Sequence, residues 1–169
     1  VIKRLILSAN KHNANEIFRV TSESPFMYHN LVKKMLAIYR KSKLDAIFLD
    51  NIVDGSGFEI FSLNTMKESL KFAKGDAKEH VTKYIRLNKR KFKFVKFNGP
   101  KKLFRKDLRL TIDNPEDLIV CKAIYNKFKK DAPLFSLKKI INFLDKNANY
   151  KELLSKYTLD GYKTMYLWY

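Results

Sequence analysis

Short apolar segments typical of β-strands alternate with longer segments of helical periodicity along most of this chain. Residues 46–49 form a continuous apolar run of the kind found in strands that are buried on both faces. Residues 63–73 then place apolar side chains at helical spacing. This alternation is typical of a sheet covered by helices, so we predict an α/β fold. With 169 residues and 46% apolar content the chain can bury one sizeable core, which favours a single domain over residues 1–169.

The same periodicity predicts the order of the elements. Strands are expected over residues 16–21, 46–49, 58–61, 91–97 and 108–112. Helices are expected over residues 1–12, 28–39, 63–73, 115–128, 137–144 and 149–157, with a further helix beginning at the capping box of residues 76–79. Residues 145–169 form a helical and aromatic carboxyl-terminal extension, of which residues 157–169 are predicted to be irregular.

Positive charge is the most pronounced feature of the composition, with a formal net charge of +18. Ten of the lysines and arginines lie in residues 88–112, against a single acid, Asp107. We name residues 88–112 the basic segment. It fits a solvated, lysine-rich strand and loop, and it also fits a surface that attracts phosphate or another polyanion. No recognised nucleic-acid-binding motif accompanies the charge, so no specific nucleic-acid partner is predicted.

No apolar run approaches the roughly 20 residues that a membrane-spanning helix needs. The single cysteine, Cys121, has no partner for an internal disulfide and follows an apolar helical pattern, which is typical of a buried thiol in a reducing compartment. These features predict a cytoplasmic protein without a membrane span.

Two carboxylates follow predicted strands directly. Glu23 comes after strand 16–21, and Asp113 comes after strand 108–112. Ligands of open α/β sheets bind at the carboxyl ends of the strands, and carboxylates there can hold Mg²⁺ against the phosphates of a nucleotide. The alternatives are an ordinary loop carboxylate for Glu23 and a helix-capping role for Asp113.

Two further polar residues have competing explanations. Asp117 is the third residue of the helix that begins at Pro115, where capping explains it better than catalysis. His80 lies at helical spacing from Tyr84 and fits either a partly buried structural residue or a catalytic one.

Several segments resemble, in order, the motifs of one enzyme family. Residues 19–25 (R-V-T-S-E-S-P) resemble the turn R-x-T-G-D-x-P, and residues 55–61 resemble the segment G-x-x-x-E-V-F. Residues 79–82 reproduce E-H-V-T, and residues 109–117 are similar to R-x-T-x-D-x-P-E-D. The carboxyl-terminal part of the family is matched by residues 135–147 and 160–163. The family comprises spore coat polysaccharide biosynthesis protein F and the sugar-acid cytidylyltransferases.

This resemblance implies a nucleotide-diphospho-sugar transferase fold, which is Rossmann-like, with a mostly parallel sheet flanked by helices. The implied enzyme is a nucleotidyltransferase that makes a CMP-activated sugar from CTP and a sugar or sugar acid for surface polysaccharide biosynthesis. A sugar hydroxyl would attack the α-phosphate of CTP and release pyrophosphate, with Mg²⁺ as the cofactor.

The resemblance also implies residue roles. Glu23 and Asp113 would hold the Mg²⁺. The other matching positions would act in catalysis (Arg19, His80, Arg109) or bind the substrate (Glu59, Glu79, His80).

The chain departs from the family pattern at three places. Ser22 and Glu23 replace a Gly-Asp pair, Lys78 replaces an arginine, and the family's amino-terminal strand and nucleotide-gripping loop of the type A-R-x-x-S-x-R-L-P-G-K has no counterpart here. We therefore expect activity only when an amino-terminal segment is supplied. The expected assembly is a homodimer, or a complex with a partner protein that supplies this segment. A non-catalytic paralogue acting as a binding or scaffold subunit, and a basic polyanion-binding module, are the alternatives.

Overall fold

A computed structural model describes residues 1–78 and 80–166, apart from the side chains of residue 76 and residues 159–166. Its strands are β1 (Glu16–Arg19), β2 (Ala46–Asp50), β3 (Glu59–Ser62) and β4 (Phe94–Asn98). Its α-helices are α1 (Ile2–Lys11), α2 (Val32–Lys41), α3 (Leu63–Phe72), α4 (Lys83–Leu87), α5 (Pro115–Phe128), α6 (Leu137–Asp145) and α7 (Ala148–Tyr166). The α/β class predicted from the sequence is confirmed.

The four strands form one mixed sheet in the order β1-β3-β2-β4. Strands β2 and β4 pair in parallel, whereas β3 is antiparallel to both β1 and β2. Three strands therefore run in one direction, but the central position of β3 makes two of the three pairings antiparallel, which differs from the mostly parallel sheet that was expected. Only residues 51–58 connect β2 to β3, and this is too short for the crossover of a dozen or more residues that parallel neighbours require.

Residues 108–112 do not form the predicted strand. Their backbone makes one isolated parallel bridge, between Arg109 and Asp54. The amide of Leu110 donates to the carbonyl oxygen of Asp54 at 2.8 Å, and the amide of Ile112 donates to that of Glu23 at 2.9 Å. Because these amides bond to two different loops, the segment joins loops to each other instead of extending the sheet.

Three predicted helices have different limits. A 3-10 turn over His29–Leu31 precedes α2. Another 3-10 turn over Gly75–Lys78 lies where a longer helix was expected to begin, so that α4 begins only at Lys83. The prediction of an irregular tail is wrong as far as residue 166, because α7 continues to Tyr166 and packs against α5 and α6. Residues 167–169 lie outside the described residues.

Both faces of the sheet are covered. Along β2, Ile47 and Leu49 belong to a core that includes α2, α5 and α6, while Ala46 and Phe48 belong to a second core that includes α1, α3 and α4. This confirms that residues 46–49 are buried on both faces. Cys121 lies in the first core, where burial raises the pKa of its thiol to about 12, so it is not a poised nucleophile. In the described part of the chain, no helix is both long and apolar enough to cross a bilayer.

Candidate functional site

A cavity of about 420 Å³ lies at the carboxyl ends of β1 and β2. Its walls come from four stretches of chain, namely residues 19–24, 49–59, 80–86 and 109–113. This is the edge of the sheet at which ligands of α/β proteins bind, and it is where the sequence predicted a site.

The turn at residues 54–57 fixes the floor of this cavity. Gly55 has a φ of +80°, and a Cβ on it would lie 2.5 Å from the carbonyl carbon of Leu110, so only glycine fits. The carbonyl oxygen of Ser56 in the same turn accepts a hydrogen bond from the amide of Tyr28 at 2.9 Å. The turn thereby holds the segment of Leu110 and the approach to α2 in fixed positions.

Glu23 and Asp113 both border the cavity. Ile112, which precedes Asp113, donates its amide to the carbonyl oxygen of Glu23. This contact between two loops, and not a pairing of neighbouring strands, brings Glu23 and Asp113 together. One oxygen of each carboxylate already has a donor: Asp113 Oδ2 accepts from Arg109 Nη2 at 2.6 Å, and Glu23 Oε2 accepts from Ser22 Oγ at 3.2 Å.

The donor chemistry of this pair fits Mg²⁺. Mg²⁺ is commonly held by one or two carboxylates together with phosphate oxygens and water. Within the described ranges, no group of three or more His, Cys, Asp or Glu side chains is arranged to hold a metal by itself. Binding through Glu23 and Asp113 would therefore need ligand oxygens in addition, and the metal role of both residues stays a prediction.

Glu59 braces one wall of the cavity. Its Oε2 accepts from Arg19 Nη1 at 2.7 Å, while its Oε1 accepts from the hydroxyl of Thr82 at 2.6 Å and from Arg86 Nη2 at 3.3 Å. Burial alone would raise the pKa of Glu59, but the two guanidinium groups and the hydroxyl outweigh it, so the pKa is lowered. Both oxygens of this predicted substrate-binding residue are thus bonded to protein groups, and its clearest role is to orient the two arginines.

Sequence reasoning missed the ion pair between Arg86 and Asp50. Arg86 donates to both oxygens of Asp50, at 2.8 and 3.0 Å, and its guanidinium lies 3.9 Å from the centroid of the Phe48 ring. The available signal was the position of Asp50 directly after a buried strand, at the same edge as Glu23. Nothing in the amphipathic pattern of α4 identified its partner.

Arg109 connects the cavity to α5 and α7. Besides Asp113, its Nη2 donates to Asp117 Oδ2 at 3.1 Å, and its Nη1 donates to the carbonyl oxygen of Tyr157 at 3.2 Å. Its Nε lies 3.0 Å from Asp117 Oδ1, an ion pair whose orientation is not that of a hydrogen bond. Asp117 also accepts from the amide of Asn114 at 2.9 Å, so the predicted capping role is confirmed, and the same side chain is a buried counter-ion for Arg109.

Two of the remaining predicted site residues, Arg19 and His80, lie at the cavity, and the third, Glu79, cannot be placed. Arg19 and His80 both border the cavity, Arg19 partly exposed and His80 exposed. Glu79 lies outside the described residues.

Asp54 is a further carboxylate of the cavity that the sequence did not single out. Its side chain is 5% exposed, and its Oδ1 has no hydrogen-bond partner among the described residues. Burial raises the pKa of Asp54 to about 6; Arg109 and a hydrogen bond from the backbone amide of Gly55 oppose the rise, whereas Asp113 and Asp117 add to it. Placed within an Asp-Gly turn, this residue had the appearance of an ordinary loop carboxylate.

The cavity is acidic although the chain is strongly basic. Three arginines border it (Arg19, Arg86, Arg109), against five carboxylates (Glu23, Asp50, Asp54, Glu59, Asp113). An anionic nucleotide would therefore enter more readily together with a cation.

Comparisons with known proteins identify the family of this chain. A family model described as cytidylyltransferase matches residues 1–159. An uncharacterized protein of Methanocaldococcus jannaschii is 30% identical over 166 residues, which cover 96% of this chain and 67% of that protein. Spore coat polysaccharide biosynthesis protein SpsF of Bacillus subtilis is 26% identical over 151 residues, which cover 88% of this chain and 62% of that protein.

A similar fold is found among the solved structures of other proteins. The structure of a cytidylyltransferase from Leptospira borgpetersenii serovar Hardjo-bovis matches with a TM-score of 0.74 and 25% identity, over 88% of this chain and 63% of that chain. The present chain thus spans 62% to 67% of the length of these similar proteins.

Proposed function

The chain belongs to the cytidylyltransferase family, and from this premise we propose that it takes part in transferring a cytidylyl group from CTP to a sugar or sugar acid in surface polysaccharide biosynthesis. The observation that carries the proposal is that Arg19, Glu23, Arg109 and Asp113 border a single cavity at the ligand-binding edge of the sheet. The resemblance to the Bacillus subtilis spore coat protein supports the polysaccharide role.

In the proposed reaction, a sugar hydroxyl attacks the α-phosphorus of CTP, and the bond to the β-phosphate breaks to release pyrophosphate. Glu23 and Asp113 would hold Mg²⁺, which when bound neutralises phosphate charge. Arg109 orients the carboxylate of Asp113 through its 2.6 Å contact. Arg19 is held on one side by Glu59 and is partly exposed, so its other donors can bind an anionic oxygen of the substrates.

His80 is assigned to the sugar end of the cavity. It is exposed and borders the cavity together with Val81 and Thr82. Contact with the attacking hydroxyl would let the imidazole orient that group and accept its proton. The reaction is assigned to the cytoplasm, where CTP is available.

We also propose that an additional amino-terminal segment is needed to bind the nucleotide. The similar proteins are longer than this chain, and one that is described as a cytidylyltransferase is matched over 63% of its length. We expect the 169 residues alone to bind CTP weakly and to transfer it slowly. Calorimetry with CTP tests this, and micromolar binding by the chain alone would contradict it.

A pyrophosphate-release assay tests the transfer itself. The chain would be assayed with CTP, Mg²⁺ and a panel of sugars and sugar acids, both alone and fused behind the amino-terminal portion of the Leptospira cytidylyltransferase. We expect sugar-dependent pyrophosphate release from the fusion and its loss in Asp113→Asn. Glu152→Gln, which removes an exposed carboxylate on α7, is the matched control and should retain the activity.

A non-catalytic binding subunit is the second candidate, and one observation favours it. Arg109 already occupies Asp113 Oδ2, and a metal would have to share or displace this contact. If the fusion binds CTP but releases no pyrophosphate with any acceptor in the panel, the binding role is the better description.

A further inference from the structure

One surface of the protein combines exposed apolar side chains with lysines, on the side of the sheet that α3 and α4 cover. Phe72, the last residue of α3, is 44% exposed, and Leu87, the last residue of α4, is 60% exposed. The exposed lysines of the same two segments are Lys67, Lys71, Lys89 and Lys91. We name these six residues the α3/α4 patch.

Contacts between the two segments hold the patch together. The ring of Tyr84 stacks on the ring of Phe72, with 6.4 Å between the centroids, and Leu87 lies three residues further along α4. Residues at this spacing are neighbours on a helix surface. Lys91 Nζ lies 3.8 Å from the centroid of the Phe72 ring and 2.6 Å from Glu68 Oε1. The two apolar side chains therefore belong to one surface with the lysines around them.

Positive charge dominates this surface. Residues 67–72 and 87–91 contain five lysines and arginines and one acid, Glu68, which is already paired with Lys91. Lys89 also borders a shallow pocket of about 300 Å³, together with Lys96 and the rings of Phe92 and Phe94. In contrast to the acidic cavity at the edge of the sheet, the α3/α4 patch attracts anions.

Lysines that surround exposed apolar side chains are typical of proteins that bind anionic lipid surfaces. The ammonium groups remain among the lipid headgroups while the apolar side chains enter more deeply. A nucleic acid would also attract the lysines, but it offers no apolar interior for Leu87. One face of the Phe72 ring, on which a base would stack, is moreover covered by Lys91. The combination therefore favours a lipid surface over a nucleic acid.

We propose that the α3/α4 patch docks this protein on a bilayer that contains anionic phospholipid. Phe72 and Leu87 enter the headgroup region, and the lysines contact lipid phosphates. This attachment is peripheral and reversible. Because α4 also contributes Arg86 to the wall of the cavity, docking brings the cavity close to the membrane.

Flotation of the full chain with lipid vesicles tests the docking. One set of vesicles contains phosphatidylcholine alone, and the other contains phosphatidylcholine and phosphatidylglycerol in equal parts. At physiological ionic strength we expect binding to the anionic vesicles to be at least about tenfold tighter. Removing two charges by Lys71→Gln together with Lys89→Gln should weaken that binding by about tenfold or more. Leu87→Gln should weaken it by roughly fivefold, because an apolar side chain no longer leaves water.

Matched changes beyond α5, which covers the other side of the sheet, are the controls. Lys129→Gln together with Lys130→Gln removes the same charge at exposed positions, and Leu134→Gln replaces a leucine that is 62% exposed. Both controls should bind vesicles as the wild type does. Thermal melts of all variants should agree with the wild type, because every substituted side chain is exposed.

Three results would overturn the inference. The first is equal binding to the two kinds of vesicle, and the second is a loss in the control variants as large as that in the patch variants. The third is unchanged vesicle binding by Leu87→Gln, or by the double lysine variant while its binding to DNA or RNA is lost. That last outcome would identify the patch as a nucleic-acid surface. Since vesicle binding is measured without CTP or a sugar, its result is independent of the transfer reaction.

Discussion

At the scale of single residues, the main features of the site are charges held inside the protein. Arg86 is buried between Asp50 and Glu59 and lies against the ring of Phe48. Asp54 is the opposite case, a buried carboxylate whose Oδ1 has no partner in the described structure. The first arrangement compensates buried charges with one another, whereas the second leaves a carboxylate whose charged form is disfavoured by burial.

Replacing Arg86 with methionine should strongly destabilise the fold. The buried carboxylate of Asp50 and the partly buried carboxylate of Glu59 would lose their shared cation, and breaking a buried pair costs roughly 3 to 5 kcal/mol. Urea unfolding measures the change in the free energy of unfolding. Arg40→Met is the control: Arg40 is paired with Glu16 but its side chain is 61% exposed, so the loss should stay below about 1 kcal/mol. Equal losses of unfolding free energy in the two variants would contradict the stabilising role of the buried Arg86 ion pairs.

Asp54→Asn should change the pH dependence of stability. The pKa of Asp54 is about 6 in the folded chain, above the ordinary value of 3.8, so the folded state binds this proton more tightly than the unfolded state does. Stability from this group is therefore present at low pH and is lost as pH rises towards and through 6.

The measurement is chemical unfolding of wild type and Asp54→Asn at two pH values. Between about pH 4.5 and pH 8 the free energy of unfolding of the wild type should fall by roughly 2 kcal/mol more than that of the variant. A variant whose stability falls in parallel with the wild type would show that Asp54 is not a strained carboxylate.

At the scale of elements, β4 and its flanking loop account for most of the basic segment. The alternation of Phe92, Phe94 and Phe97 with lysines predicts a strand with buried rings and solvated charges, and this prediction holds only in part. Phe92 is buried, but Phe94 and Phe97 are half-buried. Lys91 pairs with Glu68 and lies over the ring of Phe72.

Phe92→Ala should cost about 3 kcal/mol, because it removes a ring from the core formed with α1, α3 and α4. Phe94→Ala should cost less, since its ring is only half-buried. Thermal melts compare the two with Lys93→Gln, an exposed change on the same segment that should have little effect. A larger loss for Phe94→Ala than for Phe92→Ala would contradict the burial order.

At the scale of the whole molecule, the net charge of +18 does not extend to the cavity, whose carboxylates outnumber its arginines. Several charges of the basic segment also have partners of their own. Arg105 is bonded to Asp107 and Asp145, and Lys93 Nζ donates to the carbonyl oxygen of Ser42. The positive charge therefore favours general attraction of anions over a dedicated polyanion site.

We accordingly expect only weak, non-specific nucleic-acid binding, with a Kd on the order of 10 µM or poorer at physiological salt. Filter-binding titrations with DNA and RNA across salt concentrations measure it. Sequence-selective nanomolar binding that disappears when Lys91, Lys93 and Lys96 are changed to glutamine would favour the polyanion-binding module over the enzyme.

The sequence by itself determined the α/β class, most helices and strands, the burial of β2 on both faces and the start of α5. Each of these depends on local periodicity or on a capping pattern that is read within a few residues. The family motifs also brought Arg19, Glu23, Arg109 and Asp113 together as candidates, and the structure places all four on one cavity.

Only the tertiary structure decided the central position of β3 and the partners of the buried charges. It also decided that residues 108–112 form hydrogen bonds to two loops instead of a strand of the sheet. Arg86 and Asp50 are separated by 36 positions, and no local pattern encodes that they meet. Periodicity records which side of an element is buried, whereas the partner of a buried charge depends on which elements pack together. The same limit hid Asp54, because the pKa of a turn carboxylate is set by burial and by neighbours that come from other segments.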